Sequence, residues 1–258
     1  MSKSNQNAII YRGKSMIDPD QNIVVVAIAK SGNRKTGNMV QTYILNDNGK
    51  NPLENSKSGD DFAICGNCPH RGEALTPAHP DFGKYKQAKG RTCYVLLGQG
   101  VLIVWKSLQR GIYPTATGDQ ATAIGRGRMV RLGTYGDPAA VPFFVWQDLL
   151  AEAQGHTGYS HQSDIDSADF RPDFTMVSAD TASQAIDQWA LGNRTFRVIG
   201  NVSDVIKGKE ILCPASEEAG RKASCESCKL CSGNQIAAKS IAIVAHGAAG
   251  KSLHTVAA

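Results

Sequence analysis

The stretch RMVRLGTYGDPAAVPFFVWQDLLAEAQ, residues 128–154, decides how the chain is read. Its first half is rich in β-formers and stops at Gly136-Asp137-Pro138, where glycine and proline end a strand. Its second half has the apolar spacing of an amphipathic helix. That helix opens at Pro142, a residue suited to a first turn because its fixed φ is helical and its missing N–H is not needed there. Strand, tight turn and helix in one short run make a βα unit.

Working outward, the unit recurs. "DFAIC" reads as a short buried strand ending at Cys65, and "VLIVWKSLQRG" as a helix with Gly111 as its C-cap. Beyond residue 154, "HTGYSHQ" and "FTMVSADT" read as strands, the second followed by the helix "ASQAIDQWALG". "TFRVIGN" and "SIAIVAHG" complete the strand set, with "KEILCPAS" between them. Strands alternating with helices predict a parallel sheet with crossover helices. The expected fold is therefore α/β, a full or partial parallel (β/α) barrel, with an open doubly wound sheet as the alternative. Upstream, "AIIYRG", "NIVVVAIAK" and "MVQTYIL" read as strands and "NPLENSKSG" as a short helix. This divides the chain into an N-terminal β-rich extension, residues 1–58, and a barrel-like domain, residues 59–258, that contains a Cys-rich metal-binding loop at 213–233.

In such folds the working residues lie just past the carboxyl ends of strands. Cys65, Asp137, Tyr159, His161, Asp180, Cys213 and His246 all follow apolar strand cores. Asp137, Tyr159, His161 and Asp180 are the candidate catalytic residues. Each also has a plain structural reading, Asp137 as a cap on the following helix and His246 as a satisfied surface histidine.

The seven cysteines fall into two groups. Cys65 and Cys68 form a C-x-x-C in "FAICGNCPHRG", with Cys93 following in "RTCYV"; Cys225, Cys228 and Cys231 form C-x-x-C-x-x-C, with Cys213 upstream. Two-residue spacing lets both thiolates of one turn reach one metal. Three thiolates leave a centre open to a further ligand, whereas four close it, and this holds for iron–sulfur clusters and for zinc alike. His70 is a candidate fourth ligand should zinc occupy the first group. Cys213 is assigned to the second group, although joining the first is the alternative. A disulfide framework is disfavoured: the N-terminal residues lack the apolar core of a signal peptide, the cysteine number is odd, and 258 residues can bury a core unaided.

No run approaches the roughly 20 apolar residues of a membrane span, so the expectation is a cytoplasmic protein. A net charge of +5 permits an anionic partner without demanding one. Basic residues gather at Arg34/Lys35 and at Arg126/Arg128/Arg131, without interleaved aromatics to stack bases. "AHGAAGKS" matches a relaxed P-loop pattern, but no helix-length segment follows Lys251 and Ser252 to hold phosphates.

Two resemblances add to this. "RLGTYGDPAAVPFFVWQDLLAEA" is similar to the second strand–loop–helix of radical S-adenosylmethionine (SAM) enzymes, in which a Gly-Gly-Glu-Pro-like turn contacts the amino group of the cosubstrate. Gly136, Asp137 and Pro138 match that turn. "CGNCPHRG…CYV" resembles the family's cluster loop, with Tyr94 beside the last cysteine, and the C-terminal cysteines look like an auxiliary cluster. The family's loop is C-x-x-x-C-x-x-C, whereas 24 residues separate Cys68 from Cys93 here. The resemblance implies iron–sulfur clusters, SAM as a small-molecule cosubstrate bound at Gly136, Asp137 and Pro138, and a substrate pocket lined by Tyr159, His161 and Asp180. From "NRKTGNMVQTYIL" to "SIAIVAHG" the chain also resembles an uncharacterised family of bacteriophage proteins, which implies expression in a host bacterial cytoplasm. The competing expectation is a zinc-stabilised nucleic-acid-binding protein in phage replication or regulation. It is motivated by the paired C-x-x-C knuckles and the arginine clusters.

Overall fold

Strand β2 (Asn22–Ile28) carries the run IVVVAI, is buried on both faces, and lies between β1 (Ala8–Lys14) and β3 (Val40–Asn46). β-Branched side chains suit such a doubly covered strand. The computed structural model describes residues 4–30 and 36–245. Both pairings of β2 are antiparallel. At β3 the sheet changes character: β3 pairs in parallel with β4 (Met129–Tyr135), and β4 in parallel with β5 (Gly155–Thr157). The strands expected to form a separate extension thus share one five-stranded sheet with β4 and β5, and one apolar core runs from Ala8 to Phe174.

Parallel neighbours need crossovers. Between β3 and β4 the chain passes through α1 (Pro52–Ser58), α2 (Phe62–Cys65), α3 (Leu102–Gln109) and α4 (Asp119–Gly125). Helix α1 starts with a capping box in which Asn51 and Glu54 satisfy each other's backbone N–H groups. "DFAIC", expected as a strand, is instead the single helical turn α2. The return from β4 to β5 runs through α5 (Phe143–Leu150), whose Trp146 is buried and donates to Pro138 O at 3.1 Å.

The second sheet holds β6 (Tyr159–Ser160), β7 (Met176–Ala179), β8 (Thr195–Ile199), β9 (Glu210–Leu212) and β10 (Ser240–Val244) in the order β6-β7-β8-β10-β9, every pairing parallel. Helix α6 (Ala182–Ala190) connects β7 to β8. The architecture is mixed α/β with two parallel-rich sheets. Only Gly158 separates β5 from β6. Its N–H donates to Cys231 O at 2.9 Å, and its carbonyl accepts from Met176 N at 3.0 Å. A Cβ there would stand 3.0 Å from Thr175 Cγ2 and 3.3 Å from Leu132 Cβ, so the close approach favours glycine.

The second sheet has a thin core. Met176, Cys231 and Ile241 form a small buried cluster, with Tyr159, Phe196, Ile211, Cys213 and Leu230 packed around them, and Val177, Ala179, Ile199 and Ala242 are the other buried apolar residues of its strands. A buried ion pair supplements it. Arg197 on β8 meets Glu210 on β9 through two hydrogen bonds of 2.9 and 2.7 Å, spanning the intervening strand β10. Removing one partner strands the other charge. Arg197→Met is expected to destabilise the protein by about 3–5 kcal/mol in urea unfolding, with the loss concentrated in the second sheet.

Candidate metal centres at the strand ends

The carboxyl ends of β4, β6 and β7 meet the loop that follows α2. Gly136, Asp137 and Pro138 follow β4 as expected, and Asp137 N donates to Ile64 O at 2.6 Å, which places this turn against the C-x-x-C segment. The Asp137 carboxylate is buried and fully engaged. Oδ1 accepts from Ala139 N at 3.0 Å; Oδ2 accepts from His161 N at 2.9 Å and from Gln162 Nε2 at 2.8 Å. Gln162, also buried, carries the link onward: Nε2 donates to Cys65 O at 2.9 Å, and Oε1 accepts from Asn67 N at 3.0 Å. One carboxylate and one amide thereby fix the C-x-x-C loop to the ends of β4 and β6.

The 24 residues between Cys68 and Cys93 close on themselves. Glu73 and Lys89 exchange backbone hydrogen bonds of 2.8 and 2.9 Å, and His70 O accepts from both Thr92 N and Cys93 N. Gly72 makes the closure feasible. Its φ is +81°, and a Cβ would lie 2.6 Å from Lys89 O and 2.7 Å from Arg91 N. Arg71 braces the base through Asp61, donating to its Oδ1 at 3.1 and 2.6 Å, and through Gly66 O at 3.0 Å. Cys93 is so returned to Cys65 and Cys68. Burial pushes the Cys65 thiol well above its usual value, and negative charge on Asp61, Cys68 and Cys93 adds to the shift. Burial likewise raises Cys93 against the pull of Arg91.

The second thiol group is also assembled. Burial pushes Cys231 up to about 12, the Tyr159 hydrogen bond opposing and Cys213, Cys225 and Cys228 adding to it. Burial raises Cys213, which also feels Cys225 and Cys228. All seven cysteines are free thiols, grouped three and four, with Cys213 in the second group. Cys225 and Cys228 form the single turn α7 (Cys225–Cys228), capped by Ser224. Arg194 secures the rest of that loop by donating to the carbonyls of Leu230, Gly233, Ala238 and Lys239 at 2.7–2.9 Å. Buried thiols that raise one another's pKa are relieved by a cation, which deprotonates a coordinating thiol outright.

The candidate catalytic residues separate. His161 and Asp180 meet, Nε2 to Oδ1 at 3.3 Å, and His70 joins them, its Nε2 3.2 Å from the same oxygen. Burial disfavours the charged His161 ring, but hydrogen bonds to Asp180 and Cys68 outweigh it and hold its pKa well above that of ordinary histidine. Burial also opposes ionisation of Asp180, and the two histidines overcome it, keeping the carboxyl well below the usual range. Tyr159 lies elsewhere. It bonds to Cys231 and its ring sits 4.2 Å from that of Phe196. Arg131 donates to the Tyr94 hydroxyl and carries its charge close to Tyr159 and Cys225. His246, Arg34, Lys35, Lys251 and Ser252 lie outside the described residues.

Sequence reading missed Gln162, Thr92 and Arg194, polar side chains without a metal-ligand pattern. His70 had a signal, since it lies two residues beyond Cys68. Compared with known proteins, the chain matches no family model, no curated protein and no solved structure. Gln162→Leu leaves Asn67 N without its partner and takes one bond each from Cys65 O and Asp137 Oδ2, and is expected to cost about 1–3 kcal/mol. Elemental analysis of that variant should show metal lost from the first thiol group and kept in the second. Gly72→Ala is expected to lower metal occupancy of the first group alone, by forcing the loop base apart.

Proposed function

We propose that this chain is an iron–sulfur metalloprotein of radical-SAM-like design, with an open three-thiol centre at Cys65, Cys68 and Cys93 and a closed four-thiol centre at Cys213, Cys225, Cys228 and Cys231. The observation that carries the reading is the meeting of the C-x-x-C loop and the Gly136-Asp137-Pro138 turn. The two segments are joined by Asp137 N to Ile64 O and by Gln162, at the carboxyl ends of parallel strands. The donor sets suit the cofactor, since soft thiolates select iron–sulfur clusters and zinc. Parallel neighbours in the order β3, β4, β5/β6, β7, β8 and β10 support a partial (β/α) barrel bent at Gly158. When bound, an open cluster of this type supplies the electron that cleaves SAM reductively and starts radical chemistry on a small-molecule substrate.

The chain's own residues divide the remaining work. Cys65, Cys68 and Cys93 hold the open centre, and Asp137 acts as a positioning residue because its oxygens already serve Ala139, His161 and Gln162. The cosubstrate amine is then left to the Gly136 carbonyl of the turn, since Asp137 O already accepts from Ala140 N and Pro138 O from Trp146 Nε1. His70, His161 and Asp180 face the open side through the bond between His161 and Cys68. Expression as a phage protein in a bacterial host cytoplasm belongs to the same reading. Among the described residues no helix is long and apolar enough to cross a membrane.

The zinc-stabilised nucleic-acid reading has less behind it. Arg126 is ion-paired with Glu152; Arg128 is buried and bonded to Ile124 O and Asn5; Arg131 is held by Tyr94. These arginines do not form an open basic surface. Purification without oxygen, with iron, acid-labile sulfide and zinc measured beside the visible spectrum, tests the choice. The expected result is a brown protein with up to about eight irons and as many sulfides per chain, and saturable SAM binding by calorimetry. Stoichiometric zinc without sulfide would overturn the reading and turn attention to nucleic acid, whose binding should then weaken steeply with salt.

Loss of the four-thiol centre should also have a local mechanical effect, because Cys213 and Cys231 belong to the thin second core. Cys228→Ser is expected to lower hydrogen-exchange protection across β7, β8 and β10 while leaving β1 to β3 protected.

A further inference from the structure

We infer that His70, His161 and Asp180 form a binding site for a single divalent first-row transition ion, separate from the thiol centres and lying against the three-thiol group. The ligand atoms are His70 Nε2, His161 Nε2 and Asp180 Oδ1, all within 4.8 Å of one another. Two histidines and one carboxylate on one face, with the other positions open, is a donor set for Fe(II), Mn(II) or Zn(II).

The spacing favours an ion over a purely hydrogen-bonded trio. Nε2 of each ring lies 3.2 or 3.3 Å from Asp180 Oδ1. Charge-assisted N–H···O bonds settle at about 2.7–2.9 Å. Two ligand atoms each about 2.1 Å from one metal, and adjacent in its shell, are about 3.0–3.4 Å apart. Both rings also converge on the same oxygen, as around a carboxylate that binds through one atom.

The supporting contacts are those a metal site needs. His70 Nδ1 is 2.9 Å from Thr92 Oγ1, which fixes the ring with Nε2 turned to the site. Thr92 N bonds back to His70 O, so ligand and support are tied by backbone as well. The peptide N–H of Asp180 donates to Gln184 Oε1 at 2.7 Å, and that of His161 to Asp137 Oδ2 at 2.9 Å. Each ligand is therefore held by its backbone, at the ends of β6 and β7 and in the turn Pro69–Arg71. All three side chains are partly exposed, which leaves the ion a path of entry.

The site stands on side-chain geometry, and because His161 also bonds to Cys68 its test keeps the thiol centres as isolated. Its test uses Mn(II), a probe that oxygen and nitrogen donors accept and thiolates disfavour. Full-length protein with its thiol centres as isolated is dialysed against chelator, and bound Mn(II) is counted from the electron paramagnetic resonance signal of the free ion. The expected result is one saturable equivalent, displaced by Zn(II). His70→Ala and Asp180→Asn should each weaken it at least about 10-fold, and Thr92→Val, which removes only the supporting hydroxyl, by about 10-fold. His79→Ala, a histidine of the loop outside the trio, should leave it unchanged. Absence of a saturable Mn(II) equivalent, or one that survives in His70→Ala and Asp180→Asn, overturns the inference. A colourless zinc protein that still binds Mn(II) in this pattern would overturn the iron–sulfur reading and support this site.

Discussion

The structure depends on a continuity of backbone at Gly158, where one extended segment belongs to two sheets. Residues 155–157 complete the first sheet beside β4, and residues 159–160 begin the second beside β7. Parallel pairing on both sides keeps the strand direction, so the carboxyl ends of β4, β6 and β7 come out on the same edge. Asp137, His161 and Asp180 are delivered there by register rather than by individual design. Parallel ladders on both sides leave the intervening residue little freedom, and a side chain at Gly158 would press on Thr175 and Leu132.

Around that edge the protein gathers polar groups that would be costly if left unpaired. It satisfies those of the backbone with Asp137, Gln162, Arg71 and Arg194, each serving several main-chain atoms. The thiols are treated differently. They lie next to one another without disulfides, Cys231 buried and the others partly so, and burial and neighbouring charge raise Cys65, Cys93, Cys213 and Cys231. A protein interior tolerates such groups when something positive joins them. The two halves differ in how much they lean on that: the first sheet owns a broad apolar core, whereas the second has thiols among its few core members.

Much of this was legible in the sequence. Strands β1 to β4, β7, β8 and β10 and helices α1, α3, α5 and α6 fall where periodicity and turn residues put them, because their apolar runs are long or well punctuated, whereas the one strand expected in "HTGYSHQ" is divided into β5 and β6 at Gly158. "DFAIC" was not legible: a run of that length is ambiguous between strand and helix, and contacts with distant strands decide it. The three-plus-four division of the cysteines was visible from spacing. What spacing hid was the means by which Cys93 returns, which rests on Gly72 and on backbone pairing of Glu73 with Lys89. The meeting of His70 with Asp180 was hidden because His70 lies inside the long crossover between β3 and β4 whereas Asp180 follows β7. Gln162 and Arg194 carry no local pattern, because their partners are main-chain atoms far away in sequence.

The closed loop between Glu73 and Lys89 separates two kinds of connection that a chain usually makes together. Residues 74–87 contribute length, while the joining of the Cys68 and Cys93 segments is made by main-chain pairing across the loop's neck. The loop is mostly exposed and carries none of the thiols or the histidine–aspartate trio. A break in the peptide chain there would therefore yield two fragments that remain one folded body, with every candidate ligand in place. The neck, rather than covalent continuity, is what makes Cys93 a neighbour of Cys68.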